Sequence, residues 1–313
     1  MADGALVTVN YYNETFMLST TIGIDLGGTR IKGVALDAAG NILHQCYTPT
    51  NDGDDHVWKQ AVKKVVQDLC SFSNAGETPI GISAPGIPNE NNTAIACMPG
   101  RMQGLENFNW TSFVKQPVWI LNDAVAALMA EAKLGAAKNK RNVAMLTLGT
   151  GVGGALLIDG KPYQGTFQKA GHMGHMVIDS DGEQDITGMP GSLEDAIGNV
   201  TITQRSQGKF QSTHELLEAC RNGNPLAQSV WLTSVRKLAI GIASITNILS
   251  PECVVLGGGI TEAGAELFEP LENFMTLYEW RIGGNKTEIV KAVFGDMAGA
   301  IGAACFAREM AGC

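Results

Sequence analysis

The residues best suited to chemistry in this chain of 313 residues are glycines and carboxylates at the ends of short apolar runs. Leu26-Gly27-Gly28-Thr29, Gly149-Thr150-Gly151-Val152-Gly153-Gly154 and Gly257-Gly258-Gly259 each follow β-branched or aliphatic residues. Glycine tolerates positive φ and lets backbone N–H groups close on an anion, so such loops form nests for phosphate oxygens. One loop of this kind is as readily a tight turn; three in one chain point to a phosphate ligand. None fits GxxxxGK(S/T), and the first two return into a strand instead of opening a helix, which sets aside the P-loop and dinucleotide fingerprints. Asp25 ends the run before the first loop, and Lys32 follows it. On residue type alone, Lys32 serves equally as a solvated hairpin charge. Asn122-Asp123 closes another apolar run and precedes an alanine-rich stretch. There, Asp123 serves equally as a helix cap or as a base placed to take a proton from a hydroxyl.

The elements that must hold these residues follow from the apolar spacing. Thr21–Asp25 and Ile31–Asp37 read as two strands of a hairpin with a glycine-rich tip, followed by a turn at 39–41. Residues 55–73 have helical spacing, Ile80–Ser83 and Val118–Leu121 read as strands, and Ala124–Leu134 as a helix. The second half repeats the theme. A strand at Val143–Leu148 is followed by a glycine-rich turn over 149–154 and a returning strand at Ala155–Asp159. A long apolar helix over 226–249, a strand at Cys253–Leu256 and a terminal helix over 297–311 complete the reading. Strand, glycine loop, strand thus occurs twice, about 125 residues apart, and a duplication of this kind implies two similar lobes with a ligand cleft between them.

The motifs resemble those of the ROK family of sugar kinases. Ile22-Gly23-Ile24-Asp25-Leu26-Gly27-Gly28-Thr29-Arg30-Ile31-Lys32 is similar to the family's first phosphate motif, and Leu121-Asn122-Asp123-Ala124-Val125-Ala126-Ala127 to its catalytic segment. Leu146 to Gly154 resembles the second phosphate motif, and Val255 to Ile260 the adenosine motif. The resemblance covers residues 20–313. It implies an α/β protein of the actin-like ATPase (ribonuclease H-like) fold, with two duplicated lobes and a cleft between. A small lobe would span 19–121 plus 297–313, a large lobe 122–296, and residues 1–18 would form an N-terminal extension. It further implies an ATP-dependent kinase acting on a hexose or related sugar. Asp25 would hold Mg²⁺, through water where the ion keeps its shell. Gly27, Gly28 and Thr29 would face the phosphates with Lys32 nearby; Gly149, Thr150, Gly151 and Gly153 would cradle them from the other lobe; Gly257, Gly258 and Gly259 would pass beside the adenosine. Asp123 would be the general base and Asn122 would bind another hydroxyl.

Two departures from the family pattern bear on substrate and metal. Ala170-Gly171-His172-Met173-Gly174-His175 stands in place of the family's GExGH: His175 matches, but His172 replaces a sugar-binding glutamate. A carboxylate accepts several hydroxyl hydrogen bonds, whereas a neutral imidazole accepts one and donates one. His172 therefore either packs locally or marks an altered acceptor, and glucose-type recognition is not implied. Glu194 keeps the position of a second sugar-contacting carboxylate. In the family's CxCGxxGC zinc motif, whose fourth ligand is the histidine, Asp185, Thr187 and Ser192 replace the cysteines. Such a set is poor for zinc, so no structural zinc is expected. Arg101, in a loop over 97–110, is a further candidate for sugar contact.

Composition narrows the classes. Lys plus Arg number 22 against 31 Asp plus Glu, a net charge of −9, which disfavours a nucleic-acid footprint. The family's regulators carry a helix-turn-helix before the first phosphate motif; the short lead here and the acidic chain speak against a sugar-responsive regulator, and retention of Asn122 and Asp123 speaks against a non-catalytic binding protein. The sequence reads as having neither a secretory signal nor a membrane span. The seven scattered cysteines suit a cytoplasmic protein with reduced thiols. The resemblance also implies a homodimer.

Overall fold

The structure is a computed structural model and describes residues 20–73, 76–98, 100 and 102–313. The proposed extension 1–18 and Arg101 lie outside them. Two five-stranded sheets share one plan. The first runs β3 (Ile42–Pro49), β2 (Arg30–Leu36), β1 (Thr21–Leu26), β4 (Ile80–Ala84), β7 (Val118–Asn122). The second runs β10 (Lys161–Pro162), β9 (Val152–Ile158), β8 (Val143–Leu148), β11 (Cys253–Gly257), β12 (Glu288–Lys291). In each, an antiparallel hairpin pair continues into parallel strands. The repeat expected from the glycine loops is thus a repeat of whole sheets. A small pair, β5 (Ile87–Pro88) and β6 (Ile95–Cys97), caps the first sheet's end.

The layers follow from the apolar faces. α1 (Asp55–Cys70) buries Trp58, Val62, Val65, Val66 and Leu69 on the outer face of the first sheet, beside α2 (Trp110–Val114). Asp54 caps α1, its carboxylate accepting from the His56 and Val57 N–H groups. α3 (Asp123–Leu134) and α9 (Ala298–Met310) form a central layer whose core is shared with both sheets. Beyond the second sheet lie α4 (Leu193–Ile197), α5 (Ile202–Arg205), α6 (Thr213–Arg221), α7 (Pro225–Leu249) and α8 (Ala265–Tyr278). α7 has the length and mean hydropathy of a membrane-crossing helix. It carries Arg236 and Lys237 at mid-length, however, and sets Trp231, Val235, Leu238 and Ile242 into the second lobe's core, so it is built as a core helix.

α9 is rich in alanine and glycine because it is gripped on two sides. A Cβ on Gly302 would fall 1.6 Å from the Ala126 carbonyl oxygen of α3, and one on Gly23 of β1 would fall 1.8 Å from the Ala300 carbonyl oxygen. Backbones meet backbones here with no room for side chains.

One reading of the second hairpin needs correction. The turn expected over 149–154 is shorter, because β9 begins at Val152 and takes in Gly153 and Gly154. Glycine in this strand permits close packing: a Cβ on Gly154 would lie 2.5 Å from the Gly171 carbonyl oxygen.

Candidate active site

Register aligns the first lobe's polar residues. β1 pairs with β2 so that Asp25 faces Lys32, and with β4 so that Asp25 faces Ser83. β4 in turn sets Ala84 against Asn122 of β7. One row across the carboxyl ends of β1, β4 and β7 therefore carries Lys32, Asp25, Ser83 and, one step on, Asn122-Asp123. The second sheet aligns Gly153, Thr147 and Gly257 the same way. Ligands of open α/β sheets bind outside these carboxyl ends.

Between the two rows lies a cleft of about 490 Å³, lined by Asp25, Gly27, Gly28 and Lys32 from one side and Thr147 and Gly257–Gly259 from the other, with Asp123 at the junction. An adjoining cavity of about 480 Å³ is lined by Gly149, Thr150, Asn199, Thr213 and His214 and shares Gly259 and Glu262 with the cleft. Volumes of this order suit a nucleotide-sized ligand.

Asp25 takes a hydrogen bond of 2.8 Å from Ser83 Oγ on one oxygen and one of 3.1 Å from Lys32 Nζ on the other. Lys32 is not a solvated hairpin charge: its side chain is 16% exposed and Nζ also donates to the Asp296 carbonyl at 2.6 Å. It ties the first loop to the segment that feeds α9. Thr29 is exposed beside the cleft, its carbonyl accepting from the Thr50 N–H.

The helix cap belongs to Asn122 and not to Asp123. Asn122 is buried; its Oδ1 accepts from the Ala124 N–H at 3.0 Å and its Nδ2 donates to the Gly86 carbonyl at 3.1 Å. Asp123, the first helical residue, is exposed to the cleft, and its Oδ1 accepts from the same Ala124 N–H at 2.8 Å. The N-terminus of α3 lies behind it and favours negative charge there.

The second-lobe candidates gather around the start of β9. A Cβ on Gly174 would touch the Val152 carbonyl, so the turn 173–175 packs directly on this strand. Glu194 Oε2 accepts from the Val152 N–H at 2.9 Å and closes against Gly151. Gly153 faces the Ala124 methyl of α3. His172, His175, Glu194, Gly151 and Gly153 thus sit around one strand end next to the helix that begins at Asp123, outside the linings of the two cavities. His172 Nδ1 lies 2.9 Å from the Lys169 carbonyl, and His175 Nδ1 3.1 Å from Asp185 Oδ2.

The three positions of the zinc motif are engaged otherwise. Ser192 Oγ caps α4, accepting from the Asp195 N–H. Thr187 Oγ1 donates to Asp185 Oδ1, which also accepts from the Thr187 and Met189 N–H groups. Burial opposes ionisation of Asp185, but these bonds and the one from His175 outweigh it and hold its carboxyl well below the usual carboxylate range.

Sequence reasoning passed over Ser83, Thr147, Asp296 and Thr213. Ser83 had a signal, since it ends a strand at the same level as Asp25. Thr213 and Asp296 reach the cavities only through tertiary folding.

The duplicated sheets, the central helices and the glycine-lined cleft define an actin-like ATPase fold. More narrowly, the chain belongs to the ROK family, whose profile matches residues 21–310. It is 29% identical over 322 aligned residues to a glucokinase of Streptomyces coelicolor, covering 93% of this chain and 98% of that one. It is 33% identical over 248 aligned residues to an N-acetylmannosamine kinase of Vibrio cholerae, covering 77% of this chain and 84% of the relative. Among solved structures, a ROK hexokinase from Thermus thermophilus superposes with a TM-score of 0.84 at 27% identity, covering 94% of this chain and 99% of that one.

Proposed function

We propose that the protein is an ATP-dependent sugar kinase that moves the γ-phosphoryl group of ATP to a hydroxyl of a hexose or related sugar. The observation that carries this reading is the meeting of Asp123 with Asp25, Lys32 and glycines of both lobes in one cleft. ATP would lie with its phosphates between Gly27, Gly28 and the second-lobe loops, and its adenosine in the cavity bounded by Thr150, Thr213 and Gly259. As the sugar oxygen bonds to phosphorus and the bond to the ADP oxygen breaks, the hydroxyl proton passes to the Asp123 carboxylate. Asn122, capping the helix, would hold Asp123 at the correct angle. Thr29, Gly149, Gly151 and Gly153 would shape the phosphate loops, and His172, His175 and Glu194 would form the acceptor end.

The Asp25 carboxylate, beside Gly27 and Gly28 in the cleft, fits a Mg²⁺ ion that keeps most of its water. Asp25 would hold the ion, which would supply charge neutralisation at the phosphates. Lys32 balances the Asp25 charge and joins the first loop to Asp296. We place the lobe division at 19–121 plus 297–313 against 122–296, which sets α3 and α9 on opposite sides of the hinge; closure would exclude water from the reacting oxygen.

The named relatives act on different sugars, so the acceptor class is hexoses and N-acetyl amino sugars taken together. The test is Mg²⁺- and sugar-dependent ADP release over a panel of both. Asp123→Asn lowers it by about 10²- to 10⁴-fold, the usual weight of a positioned base, with ATP binding retained. No sugar-stimulated turnover in the wild type would sink the proposal. With Asp185, Thr187 and Ser192 already hydrogen-bonded, we propose that the protein carries no structural zinc; metal analysis after purification without added metal checks this. The seven free thiols suit a cytoplasmic enzyme. Its acidity suits small-molecule partners over nucleic acid or membrane, and the family resemblance favours a homodimer.

A further inference from the structure

Asp185 is better built than a surface turn requires. Its side chain is wholly buried although the loop around it is exposed, with Ile186 next to it 90% open to solvent. One oxygen is saturated within the loop, accepting the Thr187 N–H at 2.8 Å, Thr187 Oγ1 at 2.7 Å and the Met189 N–H at 3.0 Å. The other oxygen is left for His175 Nδ1. An ionised carboxylate is acceptor only, so Nδ1 must carry the proton and, in the neutral ring, Nε2 is left with a lone pair. Among the described residues no protein group bonds Nε2, and His175 keeps 32% of its side chain exposed. His172 is held in the same sense, its Nδ1 against the Lys169 carbonyl, also acceptor only.

We propose that Asp185 is a positioning residue that fixes His175 as the Nδ1–H tautomer, so that Nε2 accepts a hydrogen bond from a hydroxyl of the phosphoryl acceptor. The part about the acceptor rests on the sugar-kinase reading above; the part about the tautomer does not. Together with Glu194, held on the Val152 N–H, and His172, the acceptor end then presents lone pairs. It selects a ligand whose hydroxyls donate. His172 in place of a carboxylate retains one acceptor and gives up the second, so an acceptor that needs two bonds at that position is discriminated against.

Asp185→Asn tests this with little change of shape. The amide oxygen keeps the three loop bonds, and the amide NH₂ faces His175 Nδ1. Nδ1 must then accept, and the ring proton moves to Nε2. The ¹⁵N spectrum of the histidine-labelled protein reads the tautomer directly. The expected result is Nδ1–H in the wild type, Nε2–H in Asp185→Asn, and a fall of about 10- to 100-fold in kcat/KM for the sugar, the weight of one donor turned against another. KM for ATP stays unchanged. Thr187→Val removes one bond from the other oxygen and leaves the tautomer as it is, which separates tautomer control from a loosened loop. Nε2–H in the wild type overturns the proposal without needing any variant. A tautomer switch with unaltered sugar kinetics overturns the acceptor role of Nε2, while sugar-stimulated turnover in the wild type still upholds the kinase reading. Absence of that turnover would refute the kinase reading and the acceptor role together, with the spectrum still deciding the Asp185–His175 pair.

Discussion

Glu131 offers a quantitative test of how the central layer is joined to the cleft. It is fully buried in α3, where its neighbours are mostly alanine. Oε1 accepts from the Val293 N–H at 2.8 Å and the Phe294 N–H at 3.1 Å, and Oε2 from the Ala136 N–H at 2.8 Å. The carboxylate thereby ties α3 to the segment that enters the cleft at Gly295 and Asp296. Glu131→Gln keeps Oε1 but turns an NH₂ toward the Ala136 N–H, orphaning one donor at a cost of about 1–3 kcal/mol. Glu131→Ala orphans all three and leaves a cavity. Three such costs set a ceiling of about 9 kcal/mol, and relaxation of the two loops toward water brings the expectation to about 3–5 kcal/mol. At about 2.1 cal/mol/K per residue over 313 residues, 1 kcal/mol moves Tm by about 1.5 °C. Thermal unfolding followed by circular dichroism should therefore fall by about 2–4 °C for Gln and about 5–8 °C for Ala. Equal shifts for the two variants, or shifts below about 1 °C for both, would refute the reasoning, because they would mean that the orphaned groups find other partners at no cost.

Gly302→Ala places a methyl group against the Ala126 carbonyl, a backbone atom that cannot step aside. It should destabilise by about 3 kcal/mol or more in urea unfolding, whereas Gly53→Ala, in open space and outside the left-handed region, leaves α3 and α9 in contact and costs less than half as much. Burial pushes the Cys253 and Cys305 thiols up to about 11. At pH 8 an alkylating reagent should therefore label exposed Cys97 and Cys313 at once and reach Cys253 and Cys305 only after denaturation, as read by peptide mass spectrometry.

Much of this architecture was legible because its strands are short apolar runs that stop at glycine. β1, β4, β8 and β11 announce themselves that way, and the phosphate-type loops follow them. β3 does not. Ile42 to Pro49 is an edge strand open on most of its length, so no alternation of apolar and polar residues marks it. Gly153 and Gly154 were read as loop because glycine is rare inside strands; here they make room for the turn at 173–175. The same limit applies to the site. Asp25 and Asp123 stand at strand ends, where local sequence places them. The partners of Glu131 are backbone N–H groups distant in the chain, and those of Asp185 follow from loop geometry, so neither residue type nor spacing points to them. Asn122 shows a third case. The cap was foreseen at this helix start but falls one residue earlier, on Asn122, because β7 extends by one residue and leaves Asp123 lining the cleft as the first helical residue.

α9 also bears on how the chain is made. Gly23 of β1 and Gly81 of β4 receive its backbone directly, and the first sheet's inner face is covered by this late helix. During synthesis, β1, β2, β4 and β7 leave the ribosome long before Ala298 does. Until then that sheet has an uncovered apolar face, and the second lobe must fold beside an unfinished first one. Vectorial synthesis thus reverses the usual order in which the N-terminal unit folds first, and the first sheet is the part of the nascent protein with most need of a chaperone.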